Sequence, residues 1–321
     1  MKGMNGEWSR RGFVLGSAAA AAMAGGCRSW CVDECKADPN LTAFLSDIHV
    51  SGLNVKGQPT YQNPLFEKVI DAVLALRPRP QRAVVLGDIA LWNGRHEDYE
   101  ASLPGLERLR QAGVELFVAM GNHDHRDVFL RYHPEYAKIS PVADRIISVV
   151  DLGSADLLLL DSLKETGRGE GTGNAVEGEI DDAQWSWLEA QATSRERPFF
   201  VASHHQPDDL SGRKMREMLA STKYCVGYLH GHCHRWMTTW FKKNYQSRRI
   251  VRVAGVPSTG WWGDIGYTLL RTGPDHAELA MAPGNDFFFP APLKPGESRP
   301  REWDDIRSEH ANARCVFSYG A

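Results

Sequence analysis

Short apolar runs alternate with amphipathic stretches from about residue 42 to residue 229, a rhythm typical of strands followed by helices. Residues 42–48 predict a first buried strand, and residues 82–86 predict a second. Between them, residues 62–76 carry apolar side chains at the spacing of one helical face, which predicts an amphipathic helix. A strand, a helix and a second strand joined in this way favour a parallel sheet.

The same pattern continues toward the C-terminus. It predicts a helix over residues 97–112, with Pro104 as a candidate break within it. A third strand is predicted over residues 114–119. Residues 163–178 are rich in glycine and charge and predict a long surface loop of the kind that often borders an active site. The other predicted elements are strands at 146–150, 156–160, 199–202 and 225–229, helices around 187 and at 214–219, and antiparallel strands between 238 and 281.

We expect one folded domain over residues 41–282, because a single large α/β domain accommodates most of the 321 residues and buries a substantial core. Residues 1–40 predict a twin-arginine signal peptide and a polar linker. Residues 283–321 are rich in proline, glycine and charge, so we expect an irregular C-terminal tail packed on the domain.

The N-terminal residues carry the pattern of a twin-arginine export signal. Arg10 and Arg11 precede Phe13 and an alanine-rich apolar stretch that ends at Met23. This stretch is too short to span a bilayer comfortably. A frayed basic terminus is the alternative interpretation. We expect an exported protein, periplasmic or anchored as a lipoprotein, with the twin-arginine export machinery as a partner.

Cysteines near the N-terminus leave two alternatives for processing. Residues 24–27 resemble a lipoprotein processing site, in which Cys27 carries the lipid and tethers the protein to a membrane. Ala24 stands where leucine is usual, so plain cleavage among these small residues is the other alternative. An oxidising compartment permits disulfides among the six cysteines, but the sequence does not fix their connectivity.

Composition and charge narrow the classes of partner. Hydrophobic residues make up 42% of the chain and charged residues 24%, which are the proportions of a folded globular protein. The formal net charge is -3, whereas proteins that grip nucleic acid through its phosphates usually carry a basic patch and a high pI. We therefore expect no stable nucleic acid partner, although a nucleic acid substrate stays open.

Potential metal ligands follow the predicted strands at the points where the strands end. They are Asp47 and His49 after the first strand, Asp88 after the second, Asn122, His123 and Asp124 after the third, His204 and His205 after residues 199–202, and His232 and His234 after residues 225–229. Because the carboxyl ends of parallel strands lie side by side, we expect these side chains to converge on one pocket. Each motif alone is common by chance, but the ordered set of oxygen and imidazole ligands suits Mn, Fe or Zn.

The ordered set resembles the calcineurin-like metallophosphoesterase superfamily, whose motifs Asp-x-His, Gly-Asp, Gly-Asn-His-Asp, His and Gly-His-x-His occur here in that order. The resemblance implies a four-layer α-β-β-α sandwich with two packed mixed sheets, in an exported member without a large cap domain. It also implies two divalent or trivalent metal ions that share Asp88. The implied ligands are Asp47, His49, Asp88 and His234 for the first ion, and Asp88, Asn122, His204 and His232 for the second.

The resemblance further implies hydrolysis of a phosphoester. Two cations about 3.5–4 Å apart clamp phosphate oxygens and lower the pKa of bound water from about 15.7 toward roughly 7, which supplies hydroxide near neutral pH. Asp88 as the bridge and His123 are the implied catalytic residues. His123 resembles the family histidine beside the leaving group, where it donates a proton or stabilises charge, and a supporting hydrogen bond is its alternative role.

One position departs from the family pattern. Many relatives have an aspartate three residues after the bridging one, where it orients the catalytic histidine, but this chain has Leu91. Asn93 or Asp124 is then left to hold the His123 ring. His205 either faces the substrate or packs structurally.

The sequence therefore predicts a metal-dependent phosphatase or phosphodiesterase that acts on a small phosphoester outside the cytoplasm. A catalytically silent metal-binding or scaffolding relative is one alternative, and the complete ligand set counts against it. A nuclease of the same superfamily is another, and the lack of a basic groove signature counts against it.

Overall fold

The computed structural model describes residues 36–52, 62–167, 172–247, 249–260, 263–282 and 313–319. The strands are β1 Ala37–Leu45, β2 Arg79–Leu86, β3 Glu115–Ala119, β4 Ser148–Asp151, β5 Asp156–Leu159, β6 Phe199–Ser203, β7 Cys225–His230, β8 Met237–Phe241, β9 Val251–Gly255, β10 Thr268–Thr272, β11 His276–Met281 and β12 Arg314–Ser318. The helices are α1 Gln62–Ala75, α2 His96–Gln111, α3 Arg126–Tyr132, α4 Glu135–Ile139, α5 Asp182–Ser194 and α6 Gly212–Ser221, with a 3-10 turn at Pro207–Asp209.

The predicted export signal and Cys27 lie outside the described residues. Within the described ranges, every helix is too short or too polar to cross a membrane.

Two six-stranded mixed sheets form the centre of the protein, as predicted. The first has the order β12-β11-β10-β1-β2-β3, with β1, β2 and β3 parallel and the other three antiparallel. The second has the order β4-β5-β6-β7-β9-β8, with antiparallel strands at both edges. Here β9 runs parallel to β7, although the pattern after residue 238 predicted antiparallel strands.

Three hydrophobic cores separate four layers, which confirms the α-β-β-α sandwich. Leu45 contributes to the core between the first sheet and helices α1, α2 and α3, whereas its neighbour Phe44 contributes to the core between the sheets. In the same way Phe200 faces the first sheet and Val201 faces helices α5 and α6. Because successive strand residues point to opposite faces, strands buried on both faces need continuous apolar runs.

The helices near Pro104 and after β3 differ from the prediction. Helix α2 continues through Pro104 without a break. Helices α3 and α4 were not predicted, because their 7 and 5 residues are too short to show a helical repeat. They cover the first sheet with Phe129 and Tyr136.

The predicted irregular C-terminal tail is wrong where the structure describes it, since residues 314–318 form strand β12 at the edge of the first sheet. The buried Cys315 and Phe317 face the core between the sheets, and Val316 points outward. Phe317 packs edge-on against Phe200, with ring centroids 5.0 Å apart. Five residues after a proline-rich stretch carry too little alternation to reveal this strand from sequence.

We predict that Phe317→Ala lowers the free energy of unfolding by about 3–5 kcal/mol, because it leaves a cavity between the two sheets. The matched variant Val316→Ala, on the exposed face of the same strand, is expected to cost less than about 1 kcal/mol. Equilibrium unfolding in urea measures both. Similar small losses for the two variants would show that β12 does not seal the core.

Candidate metal centre

Seven predicted ligands come together where loops leave the carboxyl ends of five parallel strands. The loops after β1, β2 and β3 carry Asp47, His49, Asp88 and Asn122, and those after β6 and β7 carry His204, His232 and His234. Potential ligand atoms of Asp47, His49, Asp88 and His234 all lie within 4.8 Å of one another, and those of His204, His205 and His232 form a second such group. Asp88 connects the groups, since its Oδ2 lies 3.2 Å from His204 Nε2. Residues distant along the chain therefore form one cluster.

The backbone of these loops adopts a rarely populated conformation. Seven non-glycine residues have positive φ within the described ranges, and five of them belong to this cluster: Asp47, His49, Asp88, His232 and His234, with φ between 50 and 62°. Left-handed backbone is uncommon for such residues and persists only where the surrounding structure enforces it. The sharp turns direct side chains two residues apart into the same cleft, as the pair Asp47 and His49 shows.

Glycines permit the loops to approach this closely. A β-carbon at Gly231 would collide with Ser46 Oγ, and one at Gly121 would collide with the Asp88 carboxylate. Ser46 Oγ donates to Asp47 Oδ2 at 2.5 Å. The glycines of the Gly-Asn-His-Asp and Gly-His-x-His motifs therefore leave space for the acidic side chains.

The first group of side chains presents several acceptor atoms to one point. His49 Nδ1 donates to the Leu91 carbonyl oxygen at 3.1 Å, which directs the lone pair of Nε2 toward the cluster. That Nε2 lies 3.4 Å from His234 Nε2 and 3.7 Å from Asp88 Oδ2. Asp47 Oδ1 lies 3.1 Å from His234 Nε2. Imidazole and carboxylate atoms that converge in this way suit a bound cation.

The second group has the same character. His204 Nδ1 donates to the Leu86 carbonyl oxygen at 2.7 Å, so its Nε2 is an acceptor in the neutral ring. This Nε2 lies 3.1 Å from Asn122 Oδ1, 3.2 Å from His232 Nδ1 and 3.2 Å from Asp88 Oδ2. Acceptors packed this closely repel one another unless a proton or a cation lies among them. These nitrogen and oxygen atoms therefore fit the ligands of a second metal ion, and Asp88 lies between the first and second groups of side chains.

Burial and neighbouring charges shift the pKa values of the side chains in the cluster. Burial lowers the pKa of both His49 and His232 to about 4, so these rings are neutral and able to bind metal near neutral pH. Burial also disfavours a charged His204, yet the Asp88 and Asp47 carboxylates raise the pKa of His204 to about 9. Burial opposes the charge of Asp88 too, but neighbouring histidines hold the pKa of this carboxyl well below its usual range.

The partly exposed His123 lies beside the Asp88 carboxylate. Its backbone N donates to Asp88 Oδ1 at 2.8 Å, and its Nε2 lies 4.0 Å from Asp88 Oδ2. The partly exposed ring meets His49 edge-on, with centroids 4.9 Å apart. Ring atom Nδ1 is buried without a hydrogen-bond partner in the described part of the chain. His123 is thus placed to contact a group bound at the cluster.

Asp124 does not hold the His123 ring, contrary to one of the two predicted options. Its Oδ1 accepts from the backbone N of Ile89 and of Ala90, both at 3.1 Å, and its Oδ2 accepts from Gly121 N at 3.0 Å. Tyr99 Oη donates to Oδ1 as well, at 3.2 Å. Burial, followed by the charge of Asp88, raises the pKa of Asp124 to about 6. The carboxylate ties together the loops that carry Asp88 and Asn122.

Both ring nitrogens of His205 bond to protein groups, an arrangement that supports the structural one of its two predicted roles. Its Nδ1 is 2.8 Å from Ser162 Oγ, and its Nε2 donates to the Val176 carbonyl oxygen at 3.0 Å. Both ring nitrogens of this buried side chain are therefore occupied by protein groups. Asn93, the other predicted option, is half-buried next to Gly94, whose N donates to the His123 carbonyl oxygen at 2.8 Å.

Sequence reasoning predicted the loop that follows β5 but missed the contribution of Asn174 within it. Within its described part, Asn174 Nδ2 donates to the carbonyl oxygens of Asn122 at 3.1 Å and Asp124 at 2.8 Å. His125 Nε2 donates to the Thr172 carbonyl oxygen at 2.7 Å. The predicted loop thus borders the cluster and fixes the segment that carries His123. An asparagine in a polar loop has no pattern that marks this role.

The chain belongs to the calcineurin-like phosphoesterase family, because the family model matches residues 41–236. It is therefore a metallophosphoesterase, and the cluster described above contains the motif residues of that family.

The chain is similar to individual known proteins in sequence or in fold. A protein of Rhodopseudomonas palustris named "probable cyclic nucleotide phosphodiesterase" is 27% identical over 208 residues, which cover 60% of this chain and 70% of that protein. The fold is similar to a dimetal phosphatase from Danio rerio, with a TM-score of 0.62 and 14% identity over 88% of this chain and all of the other. It is also similar to a purple acid phosphatase from yellow lupin seeds, with a TM-score of 0.53 and 12% identity over 89% of this chain and 55% of the other.

We predict that Asp88→Asn lowers the metal content from two ions per chain to one or fewer, because the shared carboxylate loses its charge. Elemental analysis by mass spectrometry after metal loading and desalting measures the stoichiometry. Asp151→Asn is the matched control, because that exposed carboxylate lies at the far end of β4 and is expected to leave two ions bound. Two ions retained in Asp88→Asn would contradict the bridging role.

Proposed function

We propose that this protein hydrolyses a small phosphoester with two metal ions, as a phosphatase or phosphodiesterase. The observation that carries the proposal is the Asp88 carboxylate, which lies between two groups of imidazole and oxygen ligands. The similarity to a probable cyclic nucleotide phosphodiesterase supports a phosphodiester as one substrate class.

The proposed ligands follow the two groups of side chains. Asp47, His49, Asp88 and His234 hold one ion, and Asp88, Asn122, His204 and His232 hold the other. When bound, such ions neutralise phosphate charge and lower the pKa of water. The proposal covers metals that bind nitrogen and oxygen ligands, namely Mn, Fe or Zn, and does not choose among them.

Hydrogen bonds from the protein hold the proposed ligands in orientation. Carbonyl oxygens of Leu91 and Leu86 fix the rings of His49 and His204, because each accepts from Nδ1 and so turns Nε2 inward. The backbone N of His123 holds one oxygen of Asp88, and the backbone N of His232 donates to Asp47 Oδ2 at 3.1 Å. Preorganised ligands reduce the cost of assembling the site during the reaction.

His123 is the proposed general acid. A phosphate held at the cluster places its leaving oxygen near the partly exposed ring, which neighbours Asp88. As water adds to phosphorus, it releases one proton to solvent; the bond to the leaving oxygen breaks, and His123 donates a proton to that oxygen. The products are a phosphate or phosphate monoester and the free alcohol, and His123 regains its proton from solvent.

We predict that His123→Ala lowers kcat/KM by about 100-fold or more for esters of alkyl alcohols, whose leaving oxygen needs the proton. Aryl esters with acidic leaving groups are expected to lose much less. Rates across a series of leaving-group pKa values measure the difference, with the exposed His276→Ala as control. Equal losses for both classes of ester would remove the acid role.

We also propose export through the twin-arginine machinery, supported by Arg10, Arg11 and the apolar stretch after them. The proposed location is periplasmic, with Cys27 as a candidate membrane tether.

We predict that replacing both arginines with lysine keeps the protein in the cytoplasm, as cell fractionation measures. Cys27→Ser is expected to release exported protein from the membrane if lipid is attached. Export of the double lysine variant at the original level would contradict the signal.

A further inference from the structure

An exposed indole stands next to the proposed general acid. The Trp92 side chain is 53% exposed, although tryptophan is usually well buried. Its ring centroid lies 5.3 Å from that of His123, with the planes inclined at 44°. Scattered apolar side chains on a surface need no explanation. This one differs because of its position at the cluster.

The backbone on either side of Trp92 is fixed to the site. Leu91 accepts from His49 Nδ1 through its carbonyl oxygen and donates its N to Asp98 Oδ2 at 3.3 Å. On the other side, Gly94 N donates to the His123 carbonyl oxygen at 2.8 Å. The segment that carries the indole is therefore bonded to the predicted metal ligand His49 on one side and to the proposed acid His123 on the other.

A second exposed apolar residue, Val176, belongs to a segment that contacts the cluster. Val176 is 61% exposed, and its carbonyl oxygen accepts from His205, whose ring centroid lies 4.8 Å from that of His232. Trp92 is thus next to His123, whereas Val176 belongs to a segment that contacts His205. Of these, the flat Trp92 ring lies on the side of His123, where the leaving alcohol is expected.

We propose that Trp92 is a specificity-determining residue on which the base of a nucleoside leaving group stacks, so that nucleoside phosphoesters are the preferred substrates. This inference rests on the proposed function. An indole face binds any flat aromatic ring by dispersion and by its quadrupole, without reading hydrogen bonds. The selected feature is the ring itself, while the phosphate is held by the metal cluster.

The experiment compares adenosine 5′-monophosphate with ribose 5-phosphate on metal-loaded protein. Both release the same ribose 5′ oxygen, so they differ only in the base. The methyl diesters of the two compounds serve if only diesters are cleaved. The variants are Trp92→Ala and Trp92→Phe. The matched control is Trp240→Ala on β8, because Trp240 is 57% exposed without belonging to the cluster.

We expect wild-type protein to prefer the nucleotide, and Trp92→Ala to lose about 5- to 150-fold in kcat/KM on it, mainly through KM. Ribose 5-phosphate is expected to change less than twofold. Trp92→Phe should keep most of the preference, and Trp240→Ala all of it. Equal losses on both substrates would overturn the proposal, because the indole would then merely support His123.

A failure of the proposed function gives a different result. If metal-loaded wild-type protein hydrolyses neither compound nor an aryl phosphate, the hydrolase proposal fails, and titration calorimetry then measures binding of the two phosphates. If wild-type protein binds the nucleotide more tightly and Trp92→Ala loses this preference, stacking of the base on Trp92 is supported even without hydrolysis. The same affinity for both compounds in wild-type protein would overturn it.

Discussion

The site depends on one carboxylate that faces two groups of ligands. Asp88 Oδ2 approaches ring nitrogens of His49 from one side and of His204 from the other, while Oδ1 is held by the backbone of His123. A buried anion is costly unless positive charge accompanies it. The fold supplies this arrangement by bringing the strand ends of two separate sheets to a common edge, so the architecture and the chemistry have the same origin.

The ligand loops store conformational strain that the four layers support. Left-handed backbone at Asp47, His49, Asp88, His232 and His234 is unfavourable for each residue alone. The buried C-terminal parts of the strands that precede these turns pack on both faces against hydrophobic cores, which hold the turns in place. Asp124 adds a polar brace, since it accepts backbone hydrogen bonds from the loops after β2 and β3.

Sequence patterns predicted the sheets and the ligand set because both leave local traces. Strands such as β1 and β6 are apolar on both faces, so they appear as continuous runs, and ligands that follow such runs share one sheet edge. Other features arise only from three-dimensional contact. Asn174 acts through two carbonyl oxygens of a distant loop, and the short strand β12 becomes recognisable only beside β11. The positive φ angles fall on aspartate and histidine rather than glycine, which hides them from sequence reasoning.

The pairing of β1 with β10, and of β11 with β12, has a consequence for biogenesis. The first sheet joins a strand near residue 40 to strands formed by residues 268–281 and 314–318. Phe317 fills the space between the sheets, so the central core stays open while residues 314–318 are still inside the ribosome. Long-range pairing of this kind slows folding and leaves nascent apolar surface exposed. Molecular chaperones that cover such surface would therefore meet this chain during its synthesis.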